Sequence, residues 1–257
     1  MKKFLILPLL SLFVSLLTAC GDKGIHDSYS QFRDKTAEQL YQAGIKDIKH
    51  NRPDEAIKEL EAQSALYPFG AYAEEGLITL MYAYYQNDDF EESLATADRY
   101  LRLYPRGKYS DYAYYMKGVV SGNIGLTWVQ KKAGINPAAR DLSGTRESYF
   151  AFNQLVTTFP ESKYTPDALA RMRYIRNLFA EQALQLAQFY YDREAYVAAI
   201  NRAASVVQHF EGSPSVIPAL GLMIKSYRKL GLDKDANRTV AILRASYPNS
   251  GTCKSLC

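Results

Sequence analysis

The chain has 257 residues, 47% of them hydrophobic and 23% charged, and a formal charge of +4 at neutral pH. That length holds one large domain or two small ones. A charge this modest, with no run of Lys or Arg interleaved with aromatics, excludes a nucleic-acid footprint. The histidines, His26, His50 and His209, stand far apart without cysteine or carboxylate partners at ligand spacing, so no metal site is expected.

Lys2 and Lys3 precede an apolar run from Phe4 to Leu17, interrupted by Pro8, Ser11 and Ser15. A membrane span needs ~20 apolar residues, so this run suits the core of a signal peptide instead. Leu17-Thr18-Ala19-Cys20-Gly21 follows and resembles the lipobox read by lipoprotein signal peptidase. Small residues at 18 and 19 admit the extended backbone to the peptidase, and Cys20 supplies the thiol that is acylated. Residues 1–19 are therefore expected to be a signal peptide, Cys20 the lipid attachment site and 20–30 a tether. Each buried methylene contributes ~0.8 kcal/mol, and stable anchoring takes more than one chain. By resemblance to lipoproteins of Gram-negative bacteria, Gly21 in place of Asp implies sorting to the outer membrane, facing the periplasm. No second stretch approaches ~18 apolar residues.

Beyond the tether the chain repeats itself. Five segments end alike: Ala65-Leu66-Tyr67-Pro68, Arg102-Leu103-Tyr104-Pro105, Thr157-Thr158-Phe159-Pro160, Gln208-His209-Phe210-Glu211 and Ala245-Ser246-Tyr247-Pro248. Eleven residues before each aromatic stands a small residue: Ala56, Ser93, Ser148, Ala199 and Ala236. The intervals place apolar residues three and four apart, as an amphipathic helix requires. Asp54-Glu55, Asp89-Glu91-Glu92 and Asp192-Glu194 fall where acids favour a helix N-terminus, and each proline is expected to stop its helix. An earlier helix precedes each of these, visible in Thr79–Gln86, Ala183–Tyr191 and Leu222–Lys229, with Tyr84, Tyr190 and Tyr227 nine residues before the small residue. The pattern predicts an all-α superhelix of about five helix–turn–helix units with a period near the ~34 residues of a tetratricopeptide repeat.

Two intervals exceed the period. Gly118–Gly144, with Gly122, Gly125, Gly134, Pro137 and Gly144, predicts a long loop inserted in the third repeat, with a helical stretch around Leu126–Lys132. Pro166-Asp167 opens an apparently continuous helix through Tyr191, long enough to join an N-terminal group of repeats (31–165) to a C-terminal group (166–249). Residues 250–257 read as a tail, in which Cys253 and Cys257 are either a local disulfide or two free thiols.

No chemistry-bearing motif stands out. A glycine-rich phosphate loop, a G-x-S-x-G elbow and paired carboxylates in a fixed motif are all missing from the sequence. Glu74-Glu75 and Glu91-Glu92 point about 100° apart on a helix and read as solvated faces. The chain is not expected to be an enzyme or to need a cofactor.

Tyr67-Pro68-Phe69-Gly70, Tyr82-Ala83-Tyr84-Tyr85, Asp98-Arg99-Tyr100-Leu101-Arg102-Leu103, Asp111-Tyr112-Ala113-Tyr114-Tyr115-Met116 and Val197-Ala198-Ala199-Ile200-Asn201-Arg202 resemble the BamD family, lipoproteins of the β-barrel assembly machinery. The likeness covers nearly the whole chain after the signal peptide. It implies an outer-membrane lipoprotein that binds unfolded outer-membrane proteins through an N-terminal groove and docks on POTRA domains of the barrel subunit BamA, beside accessory Bam lipoproteins. Counting from the small residue, first-helix positions facing such a groove are Tyr41, Ile45, Ile48, Glu75, Ile78, Tyr82 and Tyr85, whose aromatic and aliphatic walls suit an extended β-signal peptide. Arg202 matches a position that faces BamA in the family. The alternative is a periplasmic tetratricopeptide scaffold acting on cell wall or DNA uptake.

Overall fold

A computed structural model describes residues 29–123, 136–139 and 141–257. The signal sequence, Cys20 and the stretch around Leu126–Lys132 lie outside the described residues. Within them the regular structure is helical, with no strand. A 3-10 turn, Ser30–Phe32, leads into α1 (Ala37–Lys49) and α2 (Pro53–Leu66). Next come α3 (Ala73–Gln86) with α4 (Phe90–Leu103), and α5 (Ser110–Ser121) with α6 (Ser143–Thr158). The long α7 (Thr165–Asp192) pairs with α8 (Tyr196–His209), and α9 (Val216–Lys229) with α10 (Asp233–Ser246). A short α11 (Gly251–Leu256) closes the described chain. Each helix packs on its neighbours in sequence, and α1 also touches α3, as α7 touches α9. This is the stacking of tandem helix pairs, in which no pair buries its apolar face alone.

Local chemistry sets the boundaries. Thr36 begins α1 with a capping box, its hydroxyl accepting from the Gln39 N–H while the Gln39 side chain accepts from the Thr36 N–H. Pro53 stands in the first turn of α2, where its missing N–H costs nothing, with Asp54 and Glu55 beside it. The acids at 192–194 behave differently from expectation. Asp192 is the last residue of α7 and Glu194 lies in the turn, so α8 starts at Tyr196 with no acid in its first turn.

Four of the five pairs share one turn. Asn51, Asp88, Glu194 and Gly231 take positive φ, between 56° and 71°. The next N–H, of Arg52, Asp89, Ala195 or Leu232, returns to the carbonyl of Asp47, Tyr84, Tyr190 or Tyr227 at 2.9–3.0 Å. That six-residue closure is a Schellman motif. The recurring tyrosine is thus the residue whose carbonyl closes the turn. The small residues do what their size suggests: Ala56, Ser93, Ser148, Ala199 and Ala236 are all buried. Ser93 and Ser148 donate their hydroxyls to the carbonyls of Met81 (2.8 Å) and Gly118 (2.6 Å) on the preceding helix.

The helices end one residue before the recurring aromatic, which leaves helical geometry at φ between −125° and −139°. Proline disfavours the α region for the residue before it, yet Phe210 stops α8 with Glu211 following. There Arg176 of α7 donates to the carbonyls of Glu211 (2.8 Å) and His209 (3.3 Å), which satisfies the open end of the helix. Proline is therefore one of two ways this chain stops a second helix.

The third pair has no such turn among the described residues, and there 21 residues, 122 to 142, separate the end of α5 at Ser121 from the start of α6 at Ser143. Among the described residues α5 runs on to Ser121 and α6 begins at Ser143, so helix occupies both ends of the 118–144 segment. Its returning limb, with the 3-10 turn Pro137–Ala139, packs on α7: Ala138 and Leu142 bury against Leu178, and Asn136 donates to Glu181 at 2.7 Å. The extra turns of α7 carry this limb. At the far end, residues 250–257 are a docked helix rather than a tail. Ser250 caps α11, Cys253 is buried against α9, and Cys253 and Cys257 form a disulfide with Cα atoms 4.9 Å apart.

Candidate functional site

The first-helix residues singled out from the sequence divide between surface and core. Tyr41 on α1 is half-buried and meets Tyr72 ring to ring at 5.4 Å. Tyr72 hydrogen-bonds Glu38, and that bond raises its phenol pKa. Ile48 packs at the margin of the cluster around Leu60 and Leu80, and Ile45 is half-exposed. Ile78 is a correction. It is buried with Met81, Ala97, Tyr100 and Ala113, so α3 spends it on the core and not on a binding face. Glu75 is half-buried, 3.9 Å from the Lys108 ammonium, and accepts from the Tyr109 hydroxyl at 3.5 Å.

Tyr82 and Tyr85 begin an aromatic patch that runs further than expected. Their rings lie 6.4 Å apart, and Tyr85 also meets Phe90 at 6.1 Å. Tyr112 of α5 sits among Tyr82, Tyr85, Tyr115 and Tyr164, and burial together with these phenols pushes its pKa well above the ordinary tyrosine value. Tyr164, just before α7, lies 5.3 Å from Tyr112 and stacks on Tyr115 at 4.9 Å. The far edge is charged. Tyr115 donates to Asp167 at 2.8 Å, Arg171 pairs with the same carboxylate, and the guanidinium lies 5.9 Å from the Tyr115 ring centre. Those two donors hold the Asp167 carboxyl below its usual range. The groove positions expected from the sequence belong to the first two repeats, so Tyr112, Tyr115 and Tyr164, which lie beyond them, are not among those positions. The signal was present in Asp111-Tyr112-Ala113-Tyr114-Tyr115.

Chemically the patch offers flat apolar faces with polar tips, the combination that lets tyrosine take up both an apolar side chain and a backbone amide. One acceptor there is open. Gln86 donates its amide N–H to the Tyr82 hydroxyl at 3.3 Å, while its buried Oε1 has no partner among the described residues. Buried acceptors are normally satisfied, so this one suits an incoming N–H.

Arg202, assigned to partner docking, is exposed on α8 and forms no ion pair among the described residues. His50 and His209 are both exposed. Among the described residues no group of His, Cys, Asp and Glu is placed to hold a metal ion, and no helix is long and apolar enough to cross a membrane.

Residues 33–243 match the family YfiO, outer membrane lipoprotein. The chain belongs to this family. Its members include the outer membrane protein assembly factor BamD of Pasteurella multocida, 33% identical over 96% of this chain and 92% of that protein. BamD of Neisseria meningitidis serogroup B is 32% identical over 97% of this chain and 93% of its own length. Among solved structures, the yeast Sti1 TPR2AB domain covers 84% of this chain at 13% identity with a TM-score of 0.43, too loose a likeness to add to the fold read from the helices.

Proposed function

We propose that this chain is an outer-membrane protein assembly factor, anchored through lipidated Cys20 and facing the periplasm. Its first helices bind unfolded outer-membrane proteins, and its C-terminal pairs dock on the POTRA domains of the barrel subunit BamA, with accessory Bam lipoproteins alongside. One observation carries the reading: similarity to BamD proteins extends over almost the full length of both chains, not over one repeat. The tyrosine patch supports the binding half. Rings from α3, α5 and the start of α7 form a continuous surface for the aromatic, alternating side chains of an extended β-signal, and the free Gln86 acceptor suits its backbone. The function is binding, orientation and release, with no turnover.

The patch is tested by placing a photocrosslinker at position 82 or 112 of the full-length protein and offering a peptide that copies a porin C-terminus. Adducts are expected with that peptide and not with a scrambled one; equal labelling by both would remove the tyrosine face from the reading. Depletion of the protein should lower folded porins in the outer membrane without a matching loss of their synthesis. Recovery of peptidoglycan fragments instead of a large barrel protein on affinity purification would favour a cell-wall scaffold.

A further inference from the structure

The turn between α2 and α3 presents four exposed residues without charge, Pro68-Phe69-Gly70-Ala71, and Phe69 at its tip is 85% exposed. Gly70, at φ 111°, has open space where a β-carbon would stand. The base of the turn is held. Tyr67 packs with Phe32 and Leu40 and donates its hydroxyl to the Lys35 carbonyl at 2.8 Å, which fastens the turn to the first described residues. Beside it, the turn between α4 and α5 lies against the start of α3: a β-carbon on Gly107 would stand 2.5 Å from the Glu74 carboxylate. That second turn carries exposed Arg106 and Lys108, and Arg106 forms no ion pair among the described residues. Four acids nearby are engaged: Glu59 pairs with Lys35, Glu74 accepts from Tyr100, Glu75 from Tyr109, and Glu38 bonds Tyr72. Two residues after the recurring aromatic, the other turns carry Arg106, Glu161, Gly212 and Asn249. The repeat therefore does not require an apolar tip, and Phe69 has no packing role that would explain it.

We infer that this edge rests on the lipid surface, with Phe69 seated between headgroups and acyl chains and Arg106 and Lys108 beside lipid phosphates. The inference rests on the lipid anchor of the proposed function. Nine residue steps separate Cys20 from Tyr29, which packs in the same cluster as Tyr67. A chain reaches at most about 3.6 Å per residue, so an acylated Cys20 keeps that cluster within roughly 30 Å of the bilayer. Interfacial segments combine an apolar ring with flanking cations, because the ring leaves water while the cations stay among the headgroups. One ring would not hold a free protein to a membrane. On a tethered protein it need only choose among orientations, since the anchor already supplies the local concentration. Burying a phenylalanine shifts that choice on the order of tenfold to a hundredfold. The anchored stack thus takes one pose in place of many.

The full-length lipidated protein in vesicles of phosphatidylethanolamine and phosphatidylglycerol tests this. An environment-sensitive fluorophore is attached through Ala71→Cys, beside the tip, or through Leu232→Cys, an exposed site in the turn between α9 and α10, as control. Lipids carrying a nitroxide near the headgroup should quench position 71 and leave position 232 bright. Adding Phe69→Asp should cut the docked fraction, read as quenching at 71, about tenfold, with an unchanged thermal midpoint because the ring is exposed. Equal quenching at the two sites, or quenching at 71 that survives Phe69→Asp, would overturn the inference. So would a photoreactive phenylalanine analogue at position 69 that labels protein and no lipid in envelope membranes. If the parent protein washes off the vesicles, the lipid-anchor reading falls and the inference with it. If it stays and position 71 remains bright, the inference alone falls.

Discussion

Around α2 to α4 the helices are tied by phenols, whereas α7 to α11 are tied by aliphatic packing and arginines. In the first region the Tyr84 hydroxyl donates to Glu61 and the Tyr100 hydroxyl to Glu74, while Tyr100 also accepts from the Tyr109 N–H at 3.0 Å. Tyr67 reaches back to the Lys35 carbonyl at 2.8 Å. In the second region the core is Ala, Val, Leu and Ile, including Val206, Leu220, Ile224 and Leu243. Its polar ties run from guanidinium to backbone: Arg176 to Glu211 and His209, Arg228 to Leu256 at 3.1 Å, and Arg244 to Cys257 at 2.7 Å. The difference lies in what each region must show to solvent. Where half-buried tyrosines also form the patch, rings serve as core and surface together, and the buried phenols of Tyr84 and Tyr100 are satisfied by carboxylates. Where the buried core is mainly aliphatic, apolar side chains also stand on the outer faces, as at Leu186 and Phe189.

Three substitutions break or sharpen that contrast. Leu220 is fully buried in the C-terminal core, so Leu220→Ala should cost ~2–5 kcal/mol in urea unfolding; a loss under about 1 kcal/mol would show that region to be far looser than its packing implies. Tyr100→Phe should cost ~1–3 kcal/mol, because it strands Glu74 and the Tyr109 N–H around a buried ring. Burial and the Glu74 bond hold this phenol well above its ordinary value of 10.0. Folding therefore keeps a proton that the unfolded chain releases, so the contribution is whole below about pH 10 and is lost as pH rises further. Urea midpoints between neutral pH and pH 11 should fall less steeply for Tyr100→Phe than for the parent; parallel curves would contradict the assigned bond. Asp167→Asn should have the smallest effect, below ~1 kcal/mol, because the pair is largely exposed and screened. Its carboxyl is held low by Arg171 and Tyr115. The parent's advantage should be full above about pH 4 and vanish as acid protonates the folded carboxylate, which thermal midpoints from pH 6 to 2 would follow.

The sequence carried the helix pairs because each repeat prints two marks at fixed distance: a small residue that must be buried, and an aromatic that ends the helix. Those marks depend on contacts within one pair, so they survive in the local pattern. The turn residues were harder to see. Asn51, Asp88, Glu194 and Gly231 share one backbone conformation but no side-chain chemistry. The tyrosine patch was least legible, since it depends on register between pairs. Counting in the first two repeats gave Tyr41, Tyr82 and Tyr85, which are half-buried, put buried Ile78 on the surface, and did not extend to Tyr112, Tyr115 and Tyr164. Docking of residues 250–257 was equally hidden, because it rests on contacts of α11 with Arg228 and with the cluster around α9, well back in the sequence.

One asymmetry among the connections bears on how such chains diversify. Four pairs are joined by a tight turn whose geometry fixes the angle between helices, so a single added residue there would rotate everything downstream. Across the stretch that joins them, α5 and α6 pack directly on each other as the other pairs do, but no such turn among the described residues sets their angle. In general the entropy of closing a loop adds only about 0.6 kcal/mol for each doubling of its length. Evolution can therefore lengthen, shorten or rewrite that one stretch while the rest of the stack keeps its pitch, and new recognition features are most cheaply added there.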